Sequence, residues 1–141
     1  MRSWVTTSVG ETQALGQSLA SELSPNGCLL LCGALGVGKT VLAQGVALGL
    51  GIDAREVQSP TFTIIREHTG DSKLTHIDLY RLEVGELDSI GLDEILADSG
   101  VKVIEWADRW PFEVRGALCL DLELGTQLSH RRIAETANTL A

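Results

Sequence analysis

Cys28-Leu-Leu-Leu-Cys32 runs straight into Gly33-Ala-Leu-Gly-Val-Gly-Lys-Thr40, and the fold turns on that junction. An apolar run without alternation marks a strand covered on both faces, as in a parallel sheet. The glycine-rich stretch behind it matches GxxxxGK[ST], which occurs once in the chain and requires this strand before it and a helix after it. Val41, Leu42, Val46 and Leu48 supply that helix, which Gly49 to Gly51 should end. Four specified positions arise by chance in a chain of this size on the order of 1% of the time. The expected chemistry is a phosphate cradle. Gly33, Gly36 and Gly38 let backbone N–H groups turn toward an anion, and the helix N-terminus adds a partial positive charge there. Lys39 is expected at the β and γ phosphates and the Thr40 hydroxyl at Mg²⁺, with Leu35, Val37 and Val41 completing the nucleotide-binding set.

Outward from this loop the elements alternate. Trp4-Val-Thr-Thr7 reads as a short strand, and Ser8 with Glu11 three residues on has capping-box spacing for a helix over residues 10 to 23. That helix should bury Leu15, Leu19 and Leu23 and break at Pro25-Asn-Gly27. Thr61 to Ile65 and Leu74 to Asp78 read as strands on either side of a Gly70-Asp71 turn. Residues 83 to 97 read as an acidic amphipathic helix without a base. Val101 to Ile104 and Ala117 to Leu122 are further strands, and residues 130 to 138 fit either a strand or a helix. The expected fold is an α/β domain with a mostly parallel sheet flanked by helices and antiparallel additions. At 141 residues, one domain over residues 1 to 141 is the default.

Composition narrows the function. Apolar residues make up 44% and charged residues 21%, so neither disorder nor a fibrous repeat is indicated. Net charge is −8, the opposite of what unaided nucleic-acid binding favours. The adjacent bases Arg131-Arg132 read as a solvated surface pair. Cys28, Cys32 and Cys119 form no CxxC motif. Cys28 and Cys32, four apart in a strand, are separated by roughly 13 Å, too far to share a disulfide or a metal, and are expected to be core thiols. No apolar run is long enough for a membrane helix, and Met1-Arg-Ser-Trp-Val lacks a signal-peptide core, so a cytoplasmic protein is expected.

Hydrolysis of a bound nucleotide needs acids at strand ends for Mg²⁺ and for the attacking water. Asp78 after Ile77 and Glu105 after Ile104 occupy such positions. Trp106 lies next to Glu105, either near the nucleotide or half-buried in the core. His76 shares a strand face with Asp78, and a buried hydrogen-bonded histidine is favoured there over a metal ligand. Arg81 is more often a surface ion-pair partner than a phosphate contact. No [NT]KxD guanine-reading motif occurs, which favours ATP over GTP. Asp88-Ser-Ile-Gly91 matches a switch-region DxxG string but falls inside the expected acidic helix.

Taken together, Gly33 to Thr40, Ser59-Pro-Thr-Phe-Thr63, His76-Ile-Asp-Leu-Tyr-Arg-Leu82, Glu86-Leu to Gly91-Leu-Asp-Glu-Ile95 and Val103-Ile-Glu-Trp106 resemble the TsaE (YjeE) family. That family supplies the ATPase of bacterial tRNA threonylcarbamoyladenosine synthesis. The resemblance runs from about Thr12 to Trp106 and is weak past residue 110. It implies ATP and Mg²⁺ as ligands, with Lys39 and Thr40 at phosphate and metal. It implies Asp78 and Glu105 as a metal-side and water-side pair, Trp106 near the nucleotide and residues 59 to 63 as a switch loop with Thr61 its chief contact. It also implies the partners TsaD and TsaB, a link to tRNA only through them, and a strand in the chain's tail. Ala34 departs from the pattern, since the family commonly carries an acid there. A small-molecule or nucleoside kinase and a nucleotide-binding module without turnover remain open alternatives.

Overall fold

The computed structural model describes residues 1–34, 36–58, 65–80, 91–107 and 114–137. Among them, seven strands form one sheet: β1 (Ser3–Thr6), β2 (Cys28–Gly33), β3 (Ile65–Thr69), β4 (Lys73–Asp78), β5 (Val101–Glu105), β6 (Leu118–Leu124) and β7 (Arg131–Thr136). Their order is β1-β7-β6-β2-β5-β4-β3. β6, β2, β5 and β4 run parallel, whereas β3 is antiparallel to β4, β7 to β6, and β1 to β7. A parallel core with antiparallel edges is what the alternation of elements predicted.

β2 lies at the centre because both its faces are apolar. Leu29, Leu30 and Leu31 are fully buried, each contributing about 1.5–3 kcal/mol of burial. Leu29 and Leu31 join the larger core with Leu19 and Leu23 of helix α1 (Val9–Leu23), Leu42 and Val46 of helix α2 (Lys39–Gly49), and Val101 and Val103 of β5. Leu30 and Cys28 face the other way, toward Ile77, Ile104 and Cys119, with Ile95 and Leu96 of helix α3 (Leu92–Ala97) partly buried against them. Burial pushes the Cys28 thiol up to about 12 and also raises that of Cys119. All three cysteines are free, Cys28 and Cys119 buried and Cys32 half-buried.

Ser8 is extended (φ −155°) and its Oγ accepts from Glu11 N at 3.1 Å, capping α1 as its spacing predicts. The Glu11 carboxylate bonds one residue further back than a reciprocal box would, accepting from Thr7 N at 2.8 Å and Thr7 Oγ1 at 2.9 Å. α1 lies against α2 with backbones nearly touching. A Cβ on Gly45 would sit 2.1 Å from the Gln13 carbonyl oxygen, and one on Gly16 would sit 2.3 Å from that of Leu42.

Two expectations change and an open one is resolved. Among the described residues the strand before the Gly70-Asp71 turn is Ile65–Thr69, so it runs four residues past the expected end at Ile65. It is an edge strand with Arg66, Glu67 and Thr69 exposed, so its polar sequence carries no burial pattern. Residues 61 to 64 lie outside the described residues, as do 81 to 90, where most of the expected acidic helix falls with Asp88. That helix is not continuous to residue 97, because Gly91 has φ +69° and α3 starts after it. The ambiguous tail is strand β7, paired on both sides. No helix among the described residues is long and apolar enough to cross a membrane.

Candidate functional site

β2 lies between β5 and β6 with all three parallel, so their carboxyl ends share one edge of the sheet, where ligands of an α/β sheet usually bind. Leu31 of β2 pairs with Glu105 of β5, and Glu105 with Asp78 of β4. Both acids therefore stand in one row on one face, two residues below the start of the glycine loop. Gly33 opens the loop at φ +143°, and a Cβ there would lie 2.6 Å from the Leu122 carbonyl oxygen of β6, so a larger residue would clash with that strand. Gly36 and Gly38 also have positive φ. Gly38 caps α2 and, as a glycine, offers no side-chain hydrogen bond to the N–H groups of the first turn. A Cβ at Gly36 would meet nothing within 4 Å.

Lys39 is 4% exposed despite its charge. Its Nζ donates to the Gly33 carbonyl and, at 3.2 Å, to that of Ala34, and lies 3.4 Å from the centroid of the Trp106 ring. Ala34 takes part through its backbone, so the loop keeps this contact without an acid at that position. Trp106 is half-buried, at φ +61°, a conformation that a bulky side chain adopts only at some cost. Its ring meets Tyr80 at 4.7 Å between centroids. The half-buried core reading of Trp106 holds, since it packs on the smaller core, and the ring also touches the loop lysine.

Glu105 is 2% exposed, and a buried carboxylate is costly without partners. Two are present. Thr40 Oγ1 lies 3.0 Å from Glu105 Oε1 and 3.2 Å from Oε2, and His76 Nε2 bonds to Oε2. Asp78 closes β4, and its Oδ1 accepts from Tyr80 N at 2.9 Å. The chain leaves the strand there, with Leu79 N donating to the Glu105 carbonyl at 3.2 Å. His76 is buried and hydrogen-bonded as expected, and its partner is Glu105 on the adjacent strand β5.

Arg131 is the residue that sequence reading missed. It is no surface base: Nε donates to the Val37 carbonyl of the glycine loop at 2.7 Å, and Nη1 to those of Leu128 at 2.6 Å and His130 at 2.9 Å. Arg132, on the opposite face of β7, is the exposed one and pairs with Glu123 at 3.2 Å. Strand alternation separates the two, but that signal needed a strand assignment that residues 130 to 138 did not supply. Beside the loop a cavity is lined by Ser8, Val9, Thr12, Gly38, Val41, Ser129 and Arg131. Leu35, Thr61 with the rest of residues 59 to 63, and Arg81 lie outside the described residues. Among those described, no group of three His, Cys, Asp or Glu could hold a metal by itself.

The sequence profile of a family described as threonylcarbamoyl adenosine biosynthesis protein TsaE matches residues 6 to 133. A Bacillus subtilis tRNA threonylcarbamoyladenosine biosynthesis protein TsaE is 46% identical over 105 residues, 74% of this chain and 65% of that protein. A Treponema pallidum protein of the same name is 40% identical over 106 residues, 74% of this chain and 78% of that protein. The match thus spans slightly less than two thirds of the Bacillus relative's length. The crystal structure of Bacillus subtilis YdiB superimposes with a TM-score of 0.78 at 33% identity, covering 98% of this chain and 86% of that one.

Proposed function

The chain belongs to the TsaE family, and from that premise we propose that it is an ATP-hydrolysing accessory protein of tRNA threonylcarbamoyladenosine modification that works with TsaD and TsaB and meets tRNA through them. The observation that carries the hydrolytic part is the Thr40 to Glu105 hydrogen bond. It joins the last residue of the glycine loop to a buried strand-end acid, as a P-loop NTPase-like site requires.

The residues present fit a nucleoside triphosphate with Mg²⁺. Open space at Gly36 and an uncapped α2 N-terminus suit phosphate oxygens, and the Thr40 hydroxyl with the Asp78 and Glu105 carboxylates is a hard oxygen donor set. Two carboxylates are too few to enclose a cation, which agrees with the way Mg²⁺ is usually held jointly with substrate phosphates. When bound, Mg²⁺ neutralises charge on the phosphate oxygens. Lys39 brings its ammonium to the β and γ oxygens, and Arg131 holds the Val37 carbonyl out of the cradle. Glu105 accepts a hydrogen bond from the attacking water and orients it. The cavity between Ser8, Val41 and Ser129 receives the nucleoside end. Residues 59 to 63, with Thr61, serve as the switch segment.

Steady-state phosphate release from ATP, with and without TsaD and TsaB, tests the proposal. Slow turnover alone and faster turnover with both partners supports it. Phosphate passed to a small acceptor would make the protein a kinase, and tight ATP binding without release under any condition would make it a binding module.

A further inference from the structure

His76 is fully buried on β4, on the same sheet face as Asp78 and beside Glu105 of β5. Its Nε2 meets Glu105 Oε2, and its Nδ1 is buried with no hydrogen-bond partner. With Glu105 as the carboxylate, the tautomer that makes this contact is the one with the proton on Nε2. An imidazole kept for packing would be a poor choice here, because an apolar side chain would fill the space without leaving a buried nitrogen unpaired. The single polar contact of this ring goes to the acid that the hydrolytic reading relies on.

We propose that His76 is a positioning residue for Glu105, fixing one carboxylate oxygen from the sheet so that the carboxylate stays turned toward Thr40 and the mouth of the glycine loop. The two anchors differ in kind. Thr40 stands on the first turn of α2 and has a second duty at the metal, whereas His76 is held by the sheet register and has none. When the Thr40 hydroxyl oxygen engages a cation, the His76 contact still sets the carboxylate's direction. The inference rests on the hydrolytic reading for its consequence in turnover, but the contact itself does not depend on it.

The test compares His76→Leu, which removes the donor, with His76→Gln, which keeps an N–H at similar reach. With ATP, Mg²⁺ and both partners, His76→Leu should lose at least about tenfold in kcat while ATP affinity stays within about threefold, and His76→Gln should recover most of the loss. Unchanged kcat in a folded His76→Leu protein overturns the proposal. So does an equal loss of affinity and kcat that Gln does not rescue, since that is the signature of general disruption. A second readout needs no turnover: in ¹⁵N-labelled protein the His76 Nε2 proton should be slow to exchange, and its resonance should move in Glu105→Gln. No movement refutes the contact. Movement in a wild-type protein that releases no phosphate supports the positioning role and removes only the hydrolytic reading.

Discussion

The Lys39 ammonium lies 3.4 Å from the centroid of the Trp106 ring, so the loop residue proposed to meet phosphate touches the residue that follows the candidate water-side acid. Cation–π contacts of this kind are worth about 0.5–2 kcal/mol, less than a triphosphate offers the same ammonium. Bound ATP should therefore draw Lys39 away from the ring. In a protein with Trp4 and Trp110 replaced by Phe, Trp106 emission should change on saturation with ATP. Lys39→Ala should weaken ATP binding by at least about tenfold, or 1.4 kcal/mol. Calorimetric titration checks the second outcome, and unchanged affinity in a folded variant would remove the glycine loop from the nucleotide site.

Arg131 reaches the same loop from β7. Removing a charged donor from the Val37 carbonyl costs about 1.5–3 kcal/mol of the ordered loop conformation. Arg131→Ala should accordingly lower ATP affinity about tenfold or more. Arg132→Ala should change it less than about twofold, because its pair with Glu123 is exposed and remote from the loop. Equal effects from the two substitutions would show that net charge matters and the loop contact does not.

The strand-end acids separate binding from turnover. Glu105→Gln should keep a partner for Thr40, and Asp78→Asn an acceptor for Tyr80 N, so both proteins should fold. Partner-stimulated phosphate release should fall by about 10² or more in each, with ATP affinity within a few-fold of wild type. An activity loss matched by an equal affinity loss would place these acids in nucleotide binding alone.

Part of this architecture was legible in the sequence for physical reasons. The unbroken apolar run Leu29 to Leu31 reads as a central strand and the glycine loop follows it, and the structure brings Thr40 to Glu105, which pairs in register with Asp78. The extension of β3 over residues 66 to 69 was missed because an edge strand needs no apolar alternation, and Arg66 and Glu67 gave none. The extent of α3 was misread because Gly91 sits within an apolar and acidic pattern that itself suits a helix, and only its left-handed φ breaks it. Arg131 was invisible because its partner is a backbone carbonyl far away in sequence, and backbone acceptors leave no residue-type signal.

The contact between α1 and α2 supplies a stability prediction. A Cβ at Gly45 would lie 2.1 Å from the Gln13 carbonyl oxygen, and that neighbour is backbone. In an exposed helix Gly→Ala gains up to about 1 kcal/mol. Here Gly45→Ala should instead destabilise by roughly 2 kcal/mol or more through overpacking. Urea denaturation measures the difference, and a stabilised variant would show that the helices can separate cheaply.

The Cys28 thiol gives the pH dependence a definite sign. Burial raises it from an ordinary value of 9.0 to about 12. Between these values the unfolded chain has released the proton and the folded chain keeps it, so the folded state binds more protons and stability falls as pH rises. Below 9.0 both states hold the proton and Cys28 contributes no slope. At about pH 10 the loss attributable to Cys28 should reach roughly 1.4 kcal/mol. Cys119 acts in the same direction, whereas Lys102, whose ammonium burial lowers from 10.5, acts in the opposite one. Comparison with Cys28→Ala removes Cys119 and the burial part of Lys102, leaving only the charge interaction between Lys102 and Cys28. Near pH 7 the variant should be less stable by about 1 kcal/mol from lost packing. Near pH 10 the two proteins should be about equally stable, and urea midpoints at both values decide it. A difference that stays constant with pH would mean that the folded Cys28 thiol ionises as readily as the unfolded one.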